Sequence, residues 1–383
     1  MADRPVGFGR AAAPAGGGST ADAAPSTTAG PVLDDEAAAA LLPERPERGH
    51  KGLFGKLLVI AGSLDYAGAA LLVCQAAGRA GSGLVTLAVP ESLQPLFAAK
   101  VVESTTMSLP EDDVEELEPE EALSRILDHE HDAIVVGPGL RPGLATRELI
   151  ASLLAASEEP DAPPILLDAE ALRALASTDA WWEATTRPAV LTPHVGEFGR
   201  LRSGSGHDPA ADGDLVNDDA ARVVAAAAAA TEWGQVVVLK GARTVIAAPD
   251  GSLAVAPFSN PALATGGTGD VLAGVVGSLL SQGLKPFAAA RLGVYLHGLA
   301  GEAVSERLGE AGLLASDLPL EVAYARRRLA LIAHRRRRDG RLGFVAAPTA
   351  AGAPSASGEP SASGAPSGSG ASGAVAPRDG SRS

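Results

Sequence analysis

The residues best suited to chemistry lie in one short run, Thr265-Gly266-Gly267-Thr268-Gly269-Asp270, which leads into the apolar segment 271–280. Adjacent glycines let backbone approach a ligand closely, and the free N–H groups of a starting helix carry partial positive charge. The turn therefore suits a phosphate or a developing oxyanion, with Gly267, Thr268 and Gly269 as the amide donors. Asp270 falls in the first helical turn, where a carboxylate can take a proton from a group bound beside that anion hole. Taken alone, Asp270 could equally serve only to complement the helix dipole.

Other clusters make the chemical role the better reading. Ala61-Gly62-Ser63 and Tyr66-Ala67-Gly68-Ala69-Ala70, Gly137-Pro138-Gly139, Asp168-Ala169-Glu170, Thr192-Pro193-His194-Val195-Gly196-Glu197 and Lys240-Gly241-Ala242-Arg243-Thr244 each follow a short Val/Leu/Ile-rich run. Those runs, at 56–61, 84–89, 133–136, 165–168, 189–192 and 235–240, are almost continuously apolar. That pattern predicts parallel strands covered on both faces. Segments 67–80, 142–157, 210–233, 269–282 and 286–308 have the composition and length of crossover helices, and a further helix is expected at 316–338. Thr244–Ala248 and 252–256 flank Pro249-Asp250-Gly251, a hairpin signal. The fold class is thus α/β, a mostly parallel sheet with helices on both faces. In such sheets ligands bind beyond the strand carboxyl ends, so the clusters converge on one crevice. Lys240 and Arg243, beside a glycine, are economical phosphate ligands. Neither a Walker loop nor a Gly-x-Gly-x-x-Gly fingerprint is present.

The 383 residues carry a net charge of −15. No broad cationic surface is expected, hence no nucleic acid and no anionic membrane as partner. The single cysteine, Cys74, excludes an internal disulfide and fits a reducing compartment. The longest apolar run, near 223–230, falls short of the roughly 20 residues of a membrane span. The N-terminus lacks the basic start and apolar stretch of a signal peptide, so a cytoplasmic location is expected. Residues 1–45 and 341–383 are poor in large side chains and are expected to be unstructured tails around one domain, 46–340.

Gly-Thr-Gly-Asp at a helix start, late in an α/β chain, resembles the anion hole and base of the ribokinase-like superfamily. Within it, His50-Lys51-Gly52-x-x-Gly55, Ala61-Gly62-Ser63, Val136-Gly137-Pro138-Gly139-Leu140, Leu191-Thr192-Pro193-His194-x-Gly196-Glu197, Leu239-Lys240-Gly241-Ala242-Arg243-Thr244 and Gly266-Gly267-Thr268-Gly269-Asp270-Val271-Leu272-Ala273-Gly274 together are similar to the ADP-dependent NAD(P)H-hydrate dehydratases. The similarity runs from about residue 48 to about 325.

The resemblance implies a three-layer ribokinase-like fold and a repair reaction. The hydroxyl that hydration adds to the nicotinamide ring of NADH or NADPH is phosphorylated by ADP, and phosphate is then eliminated. Hydroxide leaves poorly and phosphate leaves readily, so a kinase-like site can drive a dehydration. On this resemblance Asp270 takes the hydroxyl proton. Lys240, Gly241, Ala242, Arg243, Thr244 and Gly269 hold the nucleotide, and Ala69, Gly139, His194 and Asp270 line the hydrate. Glu197 orients water on Mg²⁺. A homotetramer and an epimerase on a separate chain are implied as well. One departure is Glu170, where the family repeats Asp; it is given no role.

Quieter readings cover the remaining features. His129 and His131 precede a strand and so lie away from the crevice, Arg335 to Arg338 close a helix where cations suit the dipole, and Trp181 and Trp182 are expected to pack structurally. Two other functions fit the same motifs: an ATP-dependent small-molecule kinase of the superfamily, and a nucleotide-binding sensor without chemistry.

Overall fold

The computed structural model describes residues 30–114, 116–156, 162–185 and 187–343; for 337–343 only the backbone is described. The chain divides into two compact units, Met1–Arg338 and Asp339–Ser383. Of the second, only helical residues 339–343 are described.

The strands are β1 (Lys56–Ile60), β2 (Leu84–Pro90), β3 (Thr105–Leu109), β4 (Glu111–Asp113), β5 (Glu116–Leu117), β6 (Ala133–Val136), β7 (Ile165–Leu167), β8 (Ala189–Leu191), β9 (Val236–Leu239), β10 (Val245–Ala247) and β11 (Leu253–Val255). The helices are α1 (Asp35–Ala40), α2 (Ala67–Ala80), α3 (Gln94–Ala98), α4 (Pro119–Asp128), α5 (Leu144–Ala155), α6 (Glu170–Ala176), α7 (Val195–Gly204), α8 (Asp219–Trp233), α9 (Thr268–Ser281), α10 (Pro286–Leu308) and α11 (Leu318–Gly343). Nine strands form one sheet in the order β11-β10-β9-β8-β7-β6-β1-β2-β3, and β4 and β5 form a separate ladder. All neighbours from β9 to β3 run parallel, whereas β10 and β11 are antiparallel.

The apolar strands bury both faces. Leu57 and Val59 of β1 join one core with α2, α9 and α10, while Leu58 and Ile60 join the other with α4 to α8. Fully burying each such side chain contributes on the order of 1.5–3 kcal/mol. This double coverage makes three layers, as the sequence led us to expect. Helix α9 is buried along almost its whole length. Its small residues allow that: a Cβ on Gly274 would stand 2.4 Å from the Val73 carbonyl oxygen of α2, and one on Gly277 would stand 2.2 Å from Val135 Cγ2 of β6. A helix gripped this way on every side fixes whatever sits at its N-terminus.

The expectation of an unstructured segment up to residue 45 needs correction from residue 30 onward. Leu33 N–H donates to the Val255 carbonyl and Val255 N–H to Pro31, extending the sheet beyond its edge strand β11. Helix α1 follows, capped by Asp34 and held by Tyr295, whose hydroxyl donates to Asp35 Oδ1 at 2.9 Å. These are tertiary contacts, invisible in a segment with little periodicity of its own. Residues 1–29 and 344–383 lie outside the described residues, and 341–343 belong to α11. No helix among the described residues is long and apolar enough to cross a membrane.

Candidate active site

Three strand ends and the start of α9 meet over the sheet. Asp168 ends β7, and Gly137 leaves room for its backbone: a Cβ there would stand 1.9 Å from the Asp168 carbonyl oxygen. Lys240 ends β9 and reaches across β8, its Nζ 2.8 Å from Asp168 Oδ1 and 3.9 Å from Glu197 Oε2. Gly269 lies against this pair, since a Cβ there would be 3.5 Å from Lys240 Nζ and 3.9 Å from Asp168 Oδ2. Gly139, in the left-handed region at φ +66, abuts Tyr66 and Ala69 across the β1 and β6 ends.

Asp270 is the group these charges act on. Burial first, and then the neighbouring Asp168 charge, raise its carboxyl against the opposing pull of Lys240, and the balance stands at about 7. Burial by itself pulls the Lys240 ammonium down, yet Asp168, Glu197 and Asp270 together outweigh it and hold the ammonium above its ordinary range. A carboxylate tuned near neutrality beside a fixed cation is the arrangement expected of a proton acceptor.

The amides at the α9 start differ from the expectation in one respect. Thr268 N–H donates to the Thr265 carbonyl at 3.3 Å. The N–H groups of Gly267, Gly269 and Asp270 have no partner among the described residues. These three amides are therefore the ones free to donate, and that of Asp270 is a donor the sequence did not single out. The turn is held from below. Thr268 Oγ1 lies 2.7 Å from the Leu263 carbonyl and 2.9 Å from that of Thr265, and the ring of buried His297 contacts the Thr268 carbonyl through Nε2 at 2.9 Å. Burial drives His297 down to about 4, so it is neutral at physiological pH and donates there.

A cleft of about 580 Å³ opens beside this turn, and Lys240, Gly241, Ala242, Thr244, Thr268 and Gly269 border it with His297. Arg243 does not: its backbone is left-handed at φ +52 and its guanidinium turns to the surface, with Nε 3.1 Å from Asp219 Oδ2. The residue that shapes the loop is instead Arg222 of α8, fully buried, which donates to the Leu239 carbonyl at 2.9 Å and also to the Ala242 carbonyl.

His194 also borders the cleft rather than only the Ala69 and Gly139 side where it was expected. It opens α7 with a reciprocal cap, Nδ1 accepting from Gly196 and Glu197 N–H while Glu197 Oε2 accepts from His194 N–H. Glu197 is thereby pinned facing Lys240. Among the described residues no group of three His, Cys, Asp or Glu side chains could hold a metal. Glu170 bends back to Arg173 at 3.6 Å. His129 and His131 lie just before β6, at the end of the sheet away from the crevice. Trp181 is buried in the core against Trp233.

Arg222 and His297 are the site residues that sequence reasoning missed, and Asp168 was placed at the crevice but given no role. Asp168 carried a signal, a carboxylate at a strand end; the two helical residues carried none.

Comparison with known proteins agrees with this geometry. Residues 57–322 match the family model for NAD(P)H-hydrate dehydratase. A bifunctional NAD(P)H-hydrate repair enzyme of Moorella thermoacetica is 42% identical over 290 residues, covering 75% of this chain and 52% of that protein. The chain thus spans about half the length of such curated relatives. An ADP-dependent (S)-NAD(P)H-hydrate dehydratase of Neisseria meningitidis is 36% identical over 74% of this chain and 89% of its own. Among solved structures, the ADP/ATP-dependent NAD(P)H-hydrate dehydratase of Bacillus subtilis, crystallised with ATP and Mg²⁺, superposes with a TM-score of 0.64 at 32% identity, over 78% of this chain and 98% of that one. A ribokinase-like protein of Enterococcus faecalis, 24% identical with a TM-score of 0.63 over 82% of this chain and 98% of its own, shares the fold.

Proposed function

The chain belongs to the NAD(P)H-hydrate dehydratase family, and from that premise we propose that it dehydrates the hydrates of NADH and NADPH at the expense of ADP, releasing AMP and phosphate. The observation that carries the proposal is Asp270, held near neutral pH beside the free amides of the α9 start and next to Lys240. The hydrate's ring hydroxyl hydrogen-bonds to Asp270, which takes its proton as the oxygen attacks the terminal phosphorus of ADP. The Gly267, Gly269 and Asp270 N–H groups receive the charge that gathers on the transferring phosphoryl oxygens. AMP leaves, the ring carbon–oxygen bond then breaks with loss of phosphate, and a proton leaves the adjoining carbon to restore the double bond.

Lys240, Gly241, Ala242 and Thr244 hold the nucleotide, with Arg222 fixing their backbone. Ala69, Gly139 and His194 border the hydrate. Mg²⁺ is part of the proposal, and the donor set fits an ion that keeps most of its waters and is held by phosphate oxygens, with Glu197 accepting from one of those waters. Such an ion neutralises phosphate charge. Assembly as a homotetramer rests on the resemblance alone.

Incubation with hydrate and ADP tests the reading. AMP, phosphate and reduced-nicotinamide absorbance should appear together in equal amounts. A stable phosphoester with no recovery of absorbance would assign the chain to the kinases instead, and equal turnover by wild type and Asp270→Asn would leave only a nucleotide sensor.

A further inference from the structure

We propose that the groove between α6 and α7 binds the diphosphate of the dinucleotide substrate, with Arg173 and Arg200 as its ligands; this rests on the dehydratase reading above.

The groove is a shallow, open depression of about 650 Å³, and its walls include Arg173, Ser177, Gly196, Gly199, Arg200 and Ser203. It opens where the crevice does. Gly196 stands two residues after His194, so one loop forms both a wall of the nucleotide cleft and the mouth of the groove. From Gly196 to Gly204 the groove follows α7 for about 12 Å, at the helical rise of 1.5 Å per residue.

Its construction favours an extended anion. The two helices approach closely because one face is nearly bare: a Cβ on Gly204 would stand 2.5 Å from the Ala176 carbonyl oxygen. The only cations on its walls are the two arginines, one from each helix, in a chain of net charge −15. Arg200 forms no ion pair among the described residues, and Arg173 meets Glu170 only at 3.6 Å with its side chain 62% exposed. Both guanidiniums therefore keep donors free for bidentate contact with phosphate oxygens. The groove shares no lining residue with the nucleotide cleft, so the two phosphate groups do not compete for one site.

The test compares two substrates, the hydrate of NADPH and the hydrate of reduced nicotinamide mononucleotide, which lacks the diphosphate bridge. For wild type, kcat/KM should favour the dinucleotide. Arg173→Ala/Arg200→Ala should lose about 10- to 100-fold for the dinucleotide through KM, leave the mononucleotide unchanged, and abolish the preference. Arg200→Lys should fall between, because the point charge remains and the fork is lost. Equal losses for both substrates, or no loss for either, overturn the proposal. Binding of NADPH itself, followed by nicotinamide fluorescence, separates this idea from the reaction. If wild type binds NADPH and the double variant binds it at least tenfold more weakly, the groove stands even where no hydrate is turned over; equal binding removes it.

Discussion

Lys240 and Asp168 meet at 2.8 Å between Nζ and Oδ1, which anchors the lysine on the end of β7, two strands away, rather than leaving it free to follow the nucleotide. Asp168 is buried and Lys240 half-buried, and the pair stands next to Asp270, whose proton affinity each member moves in an opposite direction. Lys240 therefore works twice, as a fixed cation for phosphate and as a restraint on how far Asp270 is raised. Removing it would leave Asp168 buried and unpaired, at a cost of roughly 3–5 kcal/mol.

Asp168→Asn should move the pH dependence of the reaction. Burial and the Asp168 charge both raise Asp270, to about 7, and the base must be ionised to act. Wild-type kcat/KM should thus rise with pH through an inflection near 7. The amide variant removes one of the two raising causes and frees Lys240 to stabilise the carboxylate, so the inflection should shift to lower pH while burial keeps it above the ordinary carboxylate range. An unshifted acidic limb in a pH series from 5 to 9 would refute this electrostatic account.

Asp270→Asn should lower kcat by roughly 10²-fold or more, the scale of general-base catalysis. It should also stabilise the fold on the alkaline side. A carboxyl raised in the native state binds its proton more tightly folded than unfolded, so its stabilisation is complete below its unfolded value of 3.8 and is lost as pH rises through about 7. The variant escapes that loss. Its advantage in unfolding free energy over wild type should grow between pH 5 and 8 by on the order of 1–3 kcal/mol, the burial being incomplete. Denaturant titrations at both pH values measure it.

Arg222→Met keeps the buried stem and discards the donors to the Leu239 and Ala242 carbonyls. We expect a loss of roughly 2–4 kcal/mol in stability, from two unsatisfied buried carbonyls. The nucleotide KM should rise several-fold with a smaller change in kcat, because the loop that borders the cleft loses its brace while Asp270 is untouched. Nucleotide titration by calorimetry reads the same effect directly.

The legible and the illegible parts of this molecule differ in physical kind. Strands such as β1 and β6 could be read because burial on both faces forces a continuous apolar run. Edge strand β3, Thr-Thr-Met-Ser-Leu, has no such obligation and went unseen. Asp270, Glu197 and Lys240 were visible as polar residues at strand ends or a helix start. Arg222 and His297 sit inside helices, where an arginine or histidine gives the same pattern whether it faces a loop or water. Arg243 shows the converse. A cation beside a glycine looks like a phosphate ligand in sequence, and only the left-handed backbone at φ +52 turns it toward Asp219.

Two adjacent glycines provide the sharpest test of the anion hole, since their surroundings are opposite. Gly267 caps α9 at φ +91, where a Cβ would meet Leu72 Cδ1 at 2.8 Å and Ala315 Cβ at 3.0 Å; around Gly266 a Cβ meets nothing within 4 Å. Gly267→Ala adds about 1–2 kcal/mol of left-handed backbone strain to roughly 1–3 kcal/mol of overpacking. Relief of that strain must shift the amides of residues 267 to 270 relative to Lys240. Stability should therefore fall by about 2–5 kcal/mol and kcat by tenfold or more, whereas Gly266→Ala should change stability by less than about 1 kcal/mol and leave kcat near wild type. Thermal unfolding and turnover measured on the two variants side by side decide the matter: similar behaviour would mean that the turn tolerates displacement, and the amides would then not be the donors that the transferring phosphoryl group requires.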